Sequence, residues 1–264
     1  LGLSGAGVGN NIIDSTNHRL FVNDSTNNRI LVYNLNSSNQ LVDKTPDNVL
    51  GQTDFNSNTG AVTQAGVSSI FGLAYDSVNN RLFVAQTAAN RVTVYDVASI
   101  TDGENAINVL GQNTFTASGA AVTQSAMSRP QALAHASTNS RPFVSNSNRV
   151  TVYDVASITD GENAINVLGQ TTFTGSTGAV TQAGMNNPKG LAYDSTNSRL
   201  FVAQATSANR VTVYDVASIT DGENAINVLG QTTFTGSSAA VTQGGMSAPQ
   251  DVVYDATNSR LFVS

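Results

Sequence analysis

Between Asn209 and Val216 the side chains alternate, with Val211 and Val213 on one side of the chain and Thr212 and Tyr214 on the other. A period of two is that of a half-buried β-strand, because successive Cβ atoms of an extended backbone point to opposite faces. Two short apolar runs come before it, Pro188-Lys-Gly-Leu-Ala-Tyr-Asp194 and Arg199-Leu-Phe-Val-Ala-Gln204, and one follows, Ala225-Ile-Asn-Val-Leu229. The spacers are turn sequences. Thr220-Asp-Gly-Glu-Asn224 combines Asp and Asn, which bond the local backbone, with a Gly suited to positive φ. Four short antiparallel strands are predicted for this unit.

The unit is repeated. Val92–Gln112 recurs without one difference at Val150–Gln170 and Val211–Gln231, and a weaker copy runs from Ile30 to Gln52. A unit of about sixty residues is thus tiled along the chain. A helical solenoid would need the helical period, and a parallel β-helix much shorter coils. The pattern predicts an all-β fold, a β-propeller of four-stranded antiparallel blades packed face to face around an axis. Inner strands fall near Ile12, Leu73, Leu133, Leu191 and Val252, but the Asn-Arg third strand appears only at Arg29, Arg91, Arg149 and Arg210. One domain over 1–264 is expected, with blades at about 9–52, 71–112, 131–170 and 189–231 and a partial blade at 249–264.

The motifs Pro188-Lys-Gly-Leu-Ala-Tyr-Asp194, Leu200-Phe-Val202 and Asn209-Arg-Val-Thr-Val-Tyr214 resemble the blade of NHL-repeat propellers. Leu20-Phe-Val-Asn-Asp-Ser-Thr-Asn-Asn-Arg-Ile-Leu-Val-Tyr33 is similar to the second half of that pattern. One departure is the long connection between blades, as in Thr171-Thr-Phe-Thr-Gly-Ser-Thr-Gly-Ala-Val-Thr-Gln-Ala-Gly184. The resemblance implies a scaffold rather than one activity, and rings closed by roughly six blades. About four and a half blades are present, so the expectation is a piece of a longer chain, or a sheet edge satisfied by another subunit.

Composition narrows the function. Forty per cent of the 264 residues are apolar and 11% are charged, with a net charge of −6 and no cysteine. Disulfides, thiolate metal sites and cysteine nucleophiles are excluded, and the negative field disfavours nucleic acid and anionic membranes. No apolar run approaches the length of a membrane span. The start Leu1-Gly-Leu-Ser-Gly-Ala-Gly-Val lacks the basic residues of a signal peptide and does not begin with Met, which fits a longer precursor.

Repetition also bears on the candidate chemistry. Nine of the twelve basic residues occupy repeat positions: Arg19, Arg81, Arg141, Arg199 and Arg260 before the second strand, and the four Asn-Arg arginines before the third. They are expected to tie turns together rather than to form an anion-binding ring. Some NHL propellers bind RNA on a basic face, but only Lys44, Arg129 and Lys189 are left here to form one. The Asp-Gly-Glu loops at Asp102, Asp160 and Asp221 offer two carboxylates each, short of a tight Ca²⁺ site, and are expected to be plain turns. His18 and His135 are the only histidines, and His135 replaces Tyr75, Tyr193 and Tyr254 at a strand position. Met127, Met185 and Met246, and Phe83, Phe143, Phe201 and Phe262, read as core. Pro142 and the short Val144-Ser-Asn-Ser-Asn148 segment mark the third copy as irregular.

The long connections remain as recognition loops. Their candidate residues are Thr114, Thr116, Gln124, Thr172, Thr174, Gln182, Thr233, Thr235 and Gln243, with Phe115, Phe173 and Phe234 as plugs beneath them. The expected function is a non-catalytic structural or adhesive scaffold, microbial and exported or on the cell surface, that binds protein or glycan or assembles with itself. No catalytic set, cofactor or metal site is expected. The alternative is a propeller enzyme of the lyase or lactonase type, whose family relatives place His, Asp, Glu or metal ligands at the central channel.

Overall fold

A computed structural model describes residues 10–264. The amino-terminal stretch read above for targeting, and the first residue of the expected first blade, lie outside the described residues. Four sheets share one plan. The first contains β1 (Ile12–Asp14), β2 (Arg19–Asp24), β3 (Arg29–Asn34) and β4 (Asn48–Leu50). The second contains β5 (Ile70–Asp76), β6 (Arg81–Gln86), β7 (Arg91–Asp96) and β8 (Asn108–Leu110). The third contains β9 (Pro130–Ala136), β10 (Arg141–Asn146), β11 (Arg149–Val152) and β12 (Asn166–Leu168). The fourth contains β13 (Pro188–Asp194), β14 (Arg199–Gln204), β15 (Arg210–Asp215) and β16 (Asn227–Leu229). A two-stranded sheet follows, β17 (Val252–Asp255) and β18 (Arg260–Val263). Every sheet is an antiparallel meander whose strands lie side by side in chain order.

Turn chemistry fixes each meander. The first carboxylate after an inner strand receives the turn's N–H groups: Asp14 Oδ1 accepts from Thr16 and Asn17 at 3.1 and 3.0 Å, and Asp76 and Asp194 do the same for Val78 and Thr196. The residue before each repeat arginine then takes positive φ, at His18, Asn80, Ser140, Ser198 and Ser259.

The core lies between sheets. Phe21, Ile30, Val32 and Leu50 of the first pack on Val67, Leu73, Leu82 and Tyr95 of the second, and the same layer recurs at the next two interfaces. Each interface carries an aromatic contact from a second strand to the next inner strand, Phe21 to Tyr75, Phe83 to His135, Phe143 to Tyr193 and Phe201 to Tyr254. A single blade leaves both its faces open, so burial arises from stacking. Pro142 sits inside β10 opposite His135. It still accepts from Tyr153 N–H at 3.1 Å but has no N–H to return, and β11 ends at Val152 while β7 and β15 run to Asp96 and Asp215.

Candidate functional site

The five inner strands line one cavity of about 450 Å³. Leu73, Leu133, Leu191 and Val252 give it apolar walls, and Asp14, His135 and the tyrosines Tyr75, Tyr193 and Tyr254 bring polar atoms to it. Asp14 and Tyr75 among them have structural partners. Burial works to raise the Asp14 carboxyl, but the backbone and side chain of Asn17, with Tyr75 and Arg19, hold it below its usual value. The Tyr75 hydroxyl is pushed up to about 12, by burial first and then by the neighbouring Asp14. His135, its side chain 1% exposed, stacks on Phe83 with its Nε2 3.9 Å from Asp76. Burial drives its pKa down to about 4, Asp76 working against the shift and Arg81 with it. It is a neutral packing residue at neutral pH. Among the described residues no three His, Asp or Glu gather to hold a metal ion.

On one face, the turns between second and third strands meet the long connections. The repeat arginine of each third strand is buried there as a clamp. Arg91 Nη2 donates to Thr63 and Gly66 carbonyls at 3.1 and 3.0 Å in the connection before its blade, and its Nη1 donates to Phe115 in the connection after. Arg149 holds Thr123, Ala126 and Phe173 in the same way, and Arg210 holds Thr181, Gly184 and Phe234. Their other nitrogens bond the end of the second strand, Gln86, Asn146 or Gln204. Burial lowers the pKa of all three guanidiniums, with Tyr95, Tyr153 and Tyr214 working against the shift. These three guanidiniums are thus taken up within the fold.

The candidate loop residues divide into two kinds. Thr114, Thr116, Thr172, Thr174, Thr233 and Thr235 are exposed, and the last four lie as pairs with hydroxyls 3.5 and 3.4 Å apart. Gln124 and Gln182, by contrast, donate their side-chain amides to Ala164 and Ala225 carbonyls at 2.9 Å, and those alanines return their N–H groups to the glutamine carbonyls. Gln64 does the same with Ala106. The Gln124 and Gln182 donors are therefore used in holding the connection to its blade. Gln243 is exposed and makes no hydrogen bond among the described residues. Phe115, Phe173 and Phe234 pack as plugs against the inter-sheet cores.

The Thr-Asp-Gly-Glu-Asn loops, read above as plain turns, do more. Asp102 Oδ1 accepts from Val49 N–H of the preceding blade at 3.0 Å, and Gly103 N–H donates to the Val49 carbonyl at 3.2 Å. Asp160 with Gly161 reads Val109, and Asp221 with Gly222 reads Val167, by the same pair of bonds. Each glycine holds φ +69°, where a side chain is strained, and a Cβ on Gly161 would also crowd the Asn113 side chain, so glycine is favoured. The signal for this clasp was present in the sequence: the pattern is invariant in three copies and absent from the first, where Val42 and Asp43 replace Asp and Gly.

No family model matches the chain, and no curated protein matches it by sequence. Solved structures do. A nidogen/laminin complex chain superposes with a TM-score of 0.60 at 14% identity, covering 97% of this chain and 71% of that one. A Bacteroides thetaiotaomicron protein of unknown function gives 0.59 at 15% identity over 96% of this chain and 55% of that one. The chain is a β-propeller. Kuenenia stuttgartiensis hydrazine synthase gives 0.57 at 11% identity over 97% of this chain and 55% of that one. The propeller thus spans little more than half the length of two of these chains, and at such identities the likeness extends to the fold alone.

Proposed function

We propose that this propeller, with NHL-like blades, is a non-catalytic scaffold that binds protein partners through the connections on one face. One observation carries the reading. Beside the clamps and clasps, exposed threonine hydroxyls recur at equivalent turns of successive blades: Thr114 and Thr116, Thr172 and Thr174, Thr233 and Thr235. Hydroxyls both donate and accept, so such pairs suit an uncharged, extended chain better than an anion. Equal weak contacts at several sites raise affinity by multivalency rather than through one pocket. An exported or cell-surface setting belongs to the same proposal, and the lack of cysteine and the sparse charge are compatible with it.

The test has two arms. Protein and glycan arrays are probed with the wild type and with a variant carrying Thr114→Val, Thr172→Val and Thr233→Val. A protein ligand lost in the triple variant and weakened stepwise in the single ones supports the scaffold. A glycan as the only ligand moves the proposal to another partner class. Separately, one zinc or calcium per chain with lactonase or lyase turnover abolished by chelation would replace the scaffold with an enzyme.

A further inference from the structure

The third blade differs from its neighbours on the face that carries the connections. Between its second and third strands it has Ser147 and Asn148, where the second blade has residues 87–90 and the fourth has residues 205–209. In the second blade Thr87 N–H donates to the Ser69 carbonyl, and the Thr87 hydroxyl crosses to the Pro130 carbonyl of the next blade at 2.6 Å. Ser147 makes the same backbone bond, to Ser128, but its hydroxyl turns back onto that carbonyl at 3.4 Å and spans nothing. The step to the fourth blade is left open. A cleft of about 490 Å³ lies there, with Ser128, Arg129, Gln131, Ser147, Asn187 and Lys189 in its lining. Every lining residue falls between Val122 and Lys189, within or beside two complete four-stranded blades.

Arg129 and Lys189 are two of the three basic residues outside the repeat positions. Asn90 Oδ1 fixes the Arg129 backbone by accepting its N–H at 2.9 Å, at a positive-φ site that carries Ser69, Asn187 or Ala248 in other copies. Among the described residues the guanidinium forms no ion pair, and neither does the Lys189 ammonium, which lies 5.7 Å from the Phe71 ring. Asp251 lines a small gap with Lys189 but accepts from Val252 N–H at 2.9 Å rather than from the ammonium. Burial, and then the Arg129 charge, push the Lys189 pKa below its ordinary value. No Asp or Glu is found in the described lining of the cleft.

We propose that this cleft is a carboxylate-binding site, in which Arg129 and Lys189 each receive one carboxylate of a ligand that carries two. A protein of net charge −6 that sets two cations around one cleft, with no acid in the described lining, is stabilised by an anion placed between them. A guanidinium takes a carboxylate through two parallel N–H bonds, and an ammonium donates as a point charge. Phosphate fits less well, because its sites draw on free backbone N–H groups. Those of Arg129, Ser147 and Asn187 are spent on Asn90, Ser128 and Asn148. The volume is that of a small-ligand pocket. None of the six exposed threonines lines the cleft, so this site holds or fails independently of the scaffold reading.

The test titrates succinate, a tetraglutamate peptide and inorganic phosphate into the protein at low salt, followed by NMR and calorimetry. Succinate or the peptide should bind saturably, one per chain, and shift the Lys189 side-chain signals. The tighter of the two names the source, a free dicarboxylic acid or an acidic segment of a protein. Arg129→Asn and Lys189→Gln copy what other blades carry at those positions, Asn187 and Gln131, so the fold is kept. Each should weaken binding about tenfold, and the two together should abolish it. Replacing Ser147 by Thr-Ala-Ala restores the second blade's turn, and should weaken binding about tenfold with both charges in place. Carboxylate binding that survives the double variant or the restored turn, phosphate binding tighter than either carboxylate, or no saturable binding of either carboxylate overturns the proposal.

Discussion

The outer halves and the inner strands of this propeller differ in how they tolerate change. From Val92, Val150 and Val211 onward the outer halves are letter for letter the same, and side chains such as Asp160, Asn108 and Gln112 in them bond a neighbouring blade or connection. The inner strands vary: Tyr75 becomes His135, Asp76 becomes Ala136, and Gln131 becomes Lys189 at the cavity's narrow end, where the ammonium lies 5.7 Å from the Phe71 ring. Identity between copies marks contacts that must be met at every seam. Variation marks inner-strand positions such as Tyr75 and His135, where the seam needs a flat ring against the preceding sheet rather than one exact hydrogen-bond partner.

The sharpest way to break that contrast is to remove a clamp. Arg149→Met should leave the Thr123, Ala126 and Phe173 carbonyls without their donor, and destabilise the protein by about 3–5 kcal/mol in urea unfolding. A loss below about 1 kcal/mol would mean that water replaces the guanidinium.

His135→Tyr tests the variable region. The folded-state pKa lies below the ordinary histidine value of 6.5, so between about 6.5 and about 4 the unfolded chain takes up a proton that the folded one refuses. Stability is unaffected by this group above that window and falls as pH drops through it, by a few kcal/mol on the order set by the shift. The tyrosine variant should lose this acid sensitivity, read as a flatter melting temperature from pH 7 to pH 4. An unchanged slope would assign the sensitivity elsewhere.

Asp160→Ala removes one clasp and exposes the need of a buried valine N–H, and should cost about 1–2 kcal/mol. Val42→Asp, at the blade that lacks a clasp partner, should change little, within about 0.5 kcal/mol. Tyr153→Phe goes the other way. Its hydroxyl is buried with no partner among the described residues, as are those of Tyr95 and Tyr214, so its removal should be neutral or stabilise by up to about 1 kcal/mol. The smallest effect belongs to the triple threonine variant, which should melt within about 0.5 kcal/mol of the wild type while its binding changes.

Much of the fold was legible in the sequence because blades repeat. The inner strands expected near Leu73, Leu133 and Leu191 are β5, β9 and β13, and of the arginines expected to tie turns the third-strand set does so, whereas Arg199 and Arg260 before the second strand are exposed. The candidate loops were less legible. Gln124 and Thr114 look alike as exposed polar residues of a connection, yet one donates across to Ala164 and the other faces solvent. Nothing local separates them, since the partner lies in the next blade's fourth-strand loop, forty residues away.

Sequence by itself determined the strands, the turns and their repetition, because side-chain alternation and the φ preferences of Asp, Asn and Gly act within a few residues. Tertiary structure alone decided which repeated polar residues are seams and which are surface. Those bonds join residues far apart in the chain, and only stacking the sheets brings Asp102 to Val49 or Asp221 to Val167.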